Sequence, residues 1–225
     1  METLIDMQHV CKRYDTGDHT VRALEDICFT VKPGEMVAIL GPSGSGKSTL
    51  MNLLGCLDTP TRGTYRLAGH TVSAMTEGQL SAIRNRTVGF VFQGFHLLPQ
   101  LSALENVELP LVYRGVPEKE RRAAAEESLR QVGLADRLHH RPAQLSGGQQ
   151  QRVAIARAIA GQPPMLLADE PTGNLDTAAG REVMALLRQL NAAGHTVVLI
   201  THDPRIGEAC PRRVVIEDGR MREDG

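Results

Sequence analysis

The residues with the plainest chemical meaning form one run, Gly41-Pro42-Ser43-Gly44-Ser45-Gly46-Lys47-Ser48-Thr49. It fits the pattern G-x-x-x-x-G-K-[ST], in which glycines let successive backbone N–H groups turn onto an anion. Lys47 supplies a movable cation for β- and γ-phosphates, and Ser48 a hydroxyl for Mg²⁺. In a chain of 225 residues a chance match is expected only about once in a hundred at average residue frequencies. Phosphate binding is therefore the expected chemistry. A second group is the adjacent pair Asp169-Glu170, directly after the apolar run Met165–Ala168. At the carboxyl end of a strand, where open α/β sheets bind ligands, Asp169 is placed to hold Mg²⁺ through water. Glu170 is placed to take a proton from an attacking water. Another apolar run, Thr196–Ile200, ends on Thr201-His202-Asp203 and brings an imidazole to the same edge.

These residues need elements to position them. Met36–Leu40 reads as the strand entering the glycine-rich loop and Lys47–Leu54 as the helix leaving it, closed by Gly55. Residues 4–10 and 21–31 read as strands of an antiparallel edge sheet, because Ile27, Phe29 and Val31 alternate with polar or small neighbours. Lys12–Gly17 between them reads as a polar turn carrying Tyr14, from these residues alone an ordinary loop tyrosine. Thr59–Gly63 is turn chemistry and Thr64–Leu67 a further short edge strand, while Ser81–Arg86 reads as a polar helix end. Val88–Phe92 is a continuous apolar strand ending on Gln93. Gly94–Pro99 after it reads equally as an exposed docking surface or as a satellite cluster beneath a loop.

From Ser102 to Ala160 strand signals stop. Pro117 opens a charged, alanine-rich helix, Glu118–Val132, ended by Gly133. Leu145-Ser146-Gly147-Gly148-Gln149 then precedes a helix Gln150–Ala160, and its tip is either an anion-binding helix N-terminus or a plain cap. Asp176, closing the turn Asn174-Leu175-Asp176, suits the N-cap of a helix Thr177–Ala193. Val214–Met221 reads as a hairpin turning at Asp218-Gly219.

The totals exclude several classes. With 25 basic against 26 acidic residues the net charge is -1, which offers no broad field for nucleic acid. Aromatics at 3% and no Trp argue against base-stacking surfaces. Cys11, Cys28, Cys56 and Cys210 are spaced singly, with no C-x-x-C pair. That suggests neither a zinc knuckle nor a redox pair, and the expectation is reduced, mostly buried thiols. Met1–Asp6 has neither the basic nor the apolar region of a leader, and no run approaches the roughly twenty apolar residues of a membrane span, so a cytosolic protein is expected.

Taken in order, the Gly41–Thr49 loop, the Leu145–Gln149 pentapeptide and the Asp169-Glu170 pair resemble the ATP-binding-cassette (ABC) ATPases over nearly the whole chain. The resemblance implies a RecA-like P-loop NTPase core of α/β class with an antiparallel β edge subdomain and an all-helical subdomain. Residues 1–93 and 161–225 would form the core and residues 94–160 the helical part. ATP and Mg²⁺ would be its ligands. Tyr14 would stack on adenine, Gly41–Thr49 would hold the phosphates, Ser48, Gln93 and Asp169 would serve the metal, and Glu170, His202 and Gln93 would serve the γ-phosphate and the attacking water. Leu145–Gln149 would reach ATP in trans across a head-to-tail homodimer, with Asn174, Leu175 and Asp176 in the loop at that interface. Phe90–Pro99, Gln149–Arg152 and Pro171–Asp176 look most like the lipoprotein-release and macrolide-exporter type.

As the chain stops at Gly225 without a membrane domain, a separate transmembrane permease is expected. The helical part would meet it, and the ATPase would be held on the cytoplasmic face of the inner membrane. The alternative from another class is a soluble ABC ATPase acting on DNA or ribosomes. That usually needs long coiled-coil insertions, a second cassette or basic surfaces, and none is present in the sequence. A non-hydrolysing switch is opposed by Lys47, Asp169, Glu170 and His202.

Overall fold

The protein is described by a computed structural model over residues 3–15, 17 and 19–224; Met1, Glu2, Thr16, Asp18 and Gly225 lie outside the described residues. In chain order the first half comprises β1 (Ile5–Asp15), β2 (Thr20–Val31), β3 (Met36–Leu40), α1 (Lys47–Leu54), β4 (Arg62–Leu67), β5 (His70–Thr71), α2 (Glu77–Thr87) and β6 (Val88–Phe92). The second comprises α3 (Ala103–Tyr113), α4 (Glu118–Gln131), α5 (Gly147–Ile159), β7 (Met165–Asp169), α6 (Thr177–Ala192), β8 (Thr196–Thr201), α7 (Pro204–Glu208), β9 (Arg212–Glu217) and β10 (Arg220–Asp224).

Two sheets result. The larger has the order β10-β9-β3-β8-β7-β6, with all pairings parallel except the β9–β10 hairpin. Every residue of β8 and all but the last of β3 and β7 are buried, the signature of a parallel sheet covered on both faces. The crossovers bring the strand ends level: Leu40 pairs with Thr201, Ile200 with Asp169, and Asp169 with Phe92. The loops leaving these strands therefore emerge along one edge.

The smaller sheet is antiparallel, in the order β2-β1-β4-β5. Its inner face, including Met7, Ile27 and Phe29, shares a core with Leu50 and Leu53 of α1 and with Val37 and Ile39 of β3, so α1 is clamped between the two sheets. A second core joins α3, α4 and α5 to α6 and the opposite face of the parallel sheet. These are the RecA-like α/β core, the antiparallel edge and the helical part expected from the sequence.

Several boundaries differ, each for a tertiary reason. β1 does not turn at Lys12 but continues to Asp15, because Arg13 pairs with Arg22 and Tyr14 with Val21 across the sheet. The Thr16 portion of the expected turn lies outside the described residues. α2 is a full helix from Glu77, started by a reciprocal cap in which Thr76 accepts from the Gln79 amide and Gln79 from the Thr76 amide. α5 begins at Gly147, three residues earlier than expected. Leu97 packs on the helical core while Leu98 stays 46% exposed, so Gly94–Pro99 is part cluster and part surface. Of the cysteines, Cys56 and Cys210 are buried as expected, but Cys11 is half-buried and Cys28 exposed.

Candidate nucleotide site

The loop between β3 and α1 owes its shape to glycine. Gly46 is the residue before α1 and sits at φ 106, and a Cβ there would lie 2.7 Å from the Ala23 carbonyl oxygen. A Cβ on Gly41 would collide with the Ile216 carbonyl. Gly46 gives α1 no side-chain cap, so the first N–H groups of the helix are left to bind an anion at the positive end of its dipole. The Lys47 ammonium curls over the loop and donates to the carbonyls of Gly41 and Pro42, both at 2.7 Å. Burial lowers its pKa, and the charges of Glu170 and Asp169 oppose that. A cavity of about 670 Å³ opens here, lined by Pro42, Ser43, Lys47, Glu170 and His202 among others.

The carboxylates stand opposite Lys47. Burial raises the pKa of Asp169, the neighbouring Glu170 charge raises it further, and Lys47 pulls it back. Glu170 adopts φ 44, a left-handed turn that aims its side chain along the strand ends. Its Oε1 accepts from the His202 backbone N–H at 2.8 Å and lies 2.5 Å from His202 Nδ1, while Oε2 accepts from the Thr201 hydroxyl at 2.9 Å. Gln93, just past β6, donates through Nε2 to Asn174 Oδ1, and Asn174 donates back to the Gln93 carbonyl. The structure thus gathers Gly41–Thr49, Gln93, Asp169, Glu170 and His202 at one sheet edge.

Tyr14 reaches the same end of the molecule from β1. Its hydroxyl donates to Asp58 at 2.9 Å, and the Lys12 ammonium lies 4.9 Å from its ring centre while itself pairing with Asp58. Burial raises the Tyr14 pKa first and Asp58 second. At 37% exposed, Tyr14 still offers ring surface.

The pentapeptide is built differently. Ser146 caps α5, its hydroxyl accepting from the Gln149 N–H while Gln149 Oε1 accepts from Ser146 N–H. Gly148 lies close against Ala179, leaving 3.0 Å for a Cβ, and Gly147 faces Leu175. Between described residues, no hydrogen bond joins 145–149 to 41–49. Asp176 caps α6 through two N–H groups as expected.

Two contributors lie outside the expected site residues. Gln151 of α5 is fully buried and its amide donates to the carbonyls of Phe92 and Pro171, the residues beside Gln93 and Glu170. Arg157, six residues on, donates to the carbonyls of Phe95 and His96. Their carbonyl partners are far away in sequence, so only the tertiary structure reveals them.

Comparison with known proteins identifies the family. The ABC transporter family matches residues 24–173. An uncharacterized ABC transporter ATP-binding protein of Thermotoga maritima is 55% identical over 98% of this chain and 94% of its own length. The macrolide export ATP-binding/permease protein MacB of Sodalis glossinidius is 54% identical over 98% of this chain, which spans only 34% of that protein. The dimeric structure of the ATP-binding cassette MJ0796, in a post-hydrolysis state bound to ADP and Pi, superposes with a TM-score of 0.89 at 44% identity, covering 98% of this chain and 97% of that one. The chain belongs to the ABC transporter family, as one of its ATP-binding, ATP-hydrolysing cassettes.

Proposed function

We propose that the cassette drives a separate membrane permease of the lipoprotein-release or macrolide-export type, working as a head-to-tail homodimer on the cytoplasmic face of the membrane. The observation that carries the reading is the alignment of strand ends that sets Lys47 against Asp169 and Glu170. The α1 amides and Lys47 hold the β- and γ-phosphates. Glu170 accepts a proton from water as the water oxygen bonds to the γ-phosphorus and the bond to the β–γ bridging oxygen breaks, giving ADP and phosphate. His202, tied to Glu170 through Nδ1, keeps that carboxylate in line and presents its other nitrogen to the γ-phosphate. Tyr14 stacks on the adenine.

Mg²⁺ fits the donor set. Asp169 is a carboxylate whose burial favours a compensating cation, Ser48 offers a hydroxyl, and Gln93 keeps its side-chain oxygen while its nitrogen serves Asn174. Such all-oxygen donors suit a hard cation, which would neutralise charge on the phosphate oxygens. Leu145–Gln149 contacts the partner's ATP, with Asn174–Asp176 beside it at the dimer interface. Among the described residues no helix is long and apolar enough to cross a membrane, which suits action through a permease. A groove of about 890 Å³ bordered by Phe90, Phe92, Leu109, Tyr113 and Arg157 offers the permease a seat beside the 94–160 segment.

Glu170→Gln tests the mechanism. The amide keeps one acceptor oxygen for His202, and the rotating Thr201 hydroxyl can accept from its nitrogen, so the fold survives. Phosphate release should fall roughly 10²- to 10⁴-fold, the range for a lost general base, while Mg-ATP holds the variant as a dimer in size-exclusion chromatography. Near-normal release removes Glu170 from the base role; slow release with no dimer discards the sandwich.

A further inference from the structure

On the outer face of the antiparallel sheet, His9, Asp26 and Cys28 bring a ring nitrogen, a carboxylate oxygen and a thiol sulfur within 4.8 Å of one another. His9 Nδ1 lies 2.8 Å from Asp26 Oδ1 and 3.8 Å from Cys28 Sγ. Backbone contacts lock the group further: the His9 N–H donates to Cys28 Sγ at 3.4 Å, and the Asp26 N–H donates to Cys11 Sγ, also at 3.4 Å. The convergence comes from irregular pairing. The β1–β2 register shifts between Met7 and Val10 and again between Val10 and Lys12, and His9 and Asp26 both turn left-handed, at φ 51 and 57. Such bulges re-aim side chains, here toward a common point.

An exposed His–Asp pair on its own contributes little stability and explains neither thiol. Free cysteine is among the most buried residue types. Cys56 and Cys210 obey that rule, and burial pushes both thiols up to about 11. Cys11 and Cys28, which are not buried, both border this patch. The donor set of imidazole, thiolate and carboxylate is that of a borderline-soft divalent ion rather than of Mg²⁺ or Ca²⁺. Tetrahedral bonds of zinc length place N and O, or N and S, roughly 3.4–3.6 Å apart. The observed 2.8 and 3.8 Å fall on either side, within a rotamer adjustment. We propose that His9, Asp26 and Cys28 form a binding site for a zinc-class divalent cation, with the fourth position open toward Cys11 and solvent. The cation ties β1 to β2 at their bulge, and the site is independent of the nucleotide site.

Co²⁺ titration of the reduced full chain, free of nucleotide and Mg²⁺, tests this. One equivalent should bind with a thiolate-to-cobalt charge-transfer band, and Zn²⁺ should displace it. Cobalt held by Asp169 or Glu170 would give no such band, and the buried thiols stay protonated. Cys28→Ser should abolish the band. His9→Asn and Asp26→Asn keep a residue that tolerates the left-handed turn, and each should weaken binding at least about tenfold, the lower bound for losing even an outer-shell partner. Unchanged melting without metal and unchanged ATP hydrolysis would certify all three variants as folded. Absence of the band in wild type, its survival in Cys28→Ser, or wild-type affinity in either Asn variant overturns the site.

Discussion

Two glycine-rich helix N-termini, at α1 and α5, differ in one respect. The first is preceded by Gly46, which supplies no side-chain cap. The second is preceded by Ser146, whose hydroxyl already takes the Gln149 N–H. An uncapped N-terminus leaves its amides available to an anion, and Lys47 adds a cation beside them. A capped one is structurally satisfied without ligand and has fewer amides to give, so it suits an auxiliary contact to a phosphate bound elsewhere. In the proposed trans arrangement the capped tip would act as half a site.

The comparison breaks most sharply at Lys47. Lys47→Ala removes the cation from the cradle, and nucleotide binding and phosphate release should both drop to background in a filter-binding and phosphate assay. Retained hydrolysis would mean that the α1 amides suffice alone. At the other tip, Ser146→Arg should leave ATP binding to the isolated subunit intact but prevent ATP-dependent dimers. Mixed with Lys47→Ala chains it should restore one composite site per heterodimer, read as recovered sandwiching by size-exclusion chromatography. If Ser146→Arg alone dimerises as wild type does, the two termini are not complementary halves.

Legibility in the sequence follows the same divide. The Gly41–Thr49 loop, its strand and its helix are contiguous, and β3, β6, β7 and α1 occupy the residues expected of them. Local pattern suffices where one run of chain makes the feature. Lys12–Asp15 reads as a turn because its polarity is visible in the sequence and its β2 partners are not. α5 starts on two glycines, poor helix formers: the Ser146–Gln149 cap starts the helix there, and a Cβ on Gly148 would crowd Ala179. Gln151 is by pattern one more polar residue in a glutamine run, yet it bridges the end of β6 and the segment after β7. That bridge links the α5 tip to the carboxylate edge. Gln151→Leu should therefore slow phosphate release by roughly 10- to 100-fold, the scale of a small misplacement of reacting groups, with ATP affinity within a few-fold of wild type. An equal loss in affinity would reduce Gln151 to a general packing role.

The smallest effect isolates the electrostatic cost of the α1 edge. Asp169 has its pKa raised by burial first and by Glu170 second, with Lys47 only partly compensating. A carboxyl with a raised folded-state pKa binds protons more tightly folded than unfolded. Its contribution to stability therefore declines as pH climbs from the ordinary carboxylate range, about 4, through the raised value. At neutral pH the folded protein carries this charge at a cost, which the Mg²⁺ of the proposed site would offset. Asp169→Asn keeps the shape and deletes the charge. Without nucleotide or metal, the variant should melt higher than wild type at neutral pH. The gap should narrow as pH falls into and below the ordinary carboxylate range, because the raised pKa favours the protonated folded form there. Hydrolysis should be lost over the whole range. A variant that melts no higher than wild type at neutral pH would mean that Lys47 already neutralises Asp169, and the two sides of the cradle would then be balanced before any ligand arrives.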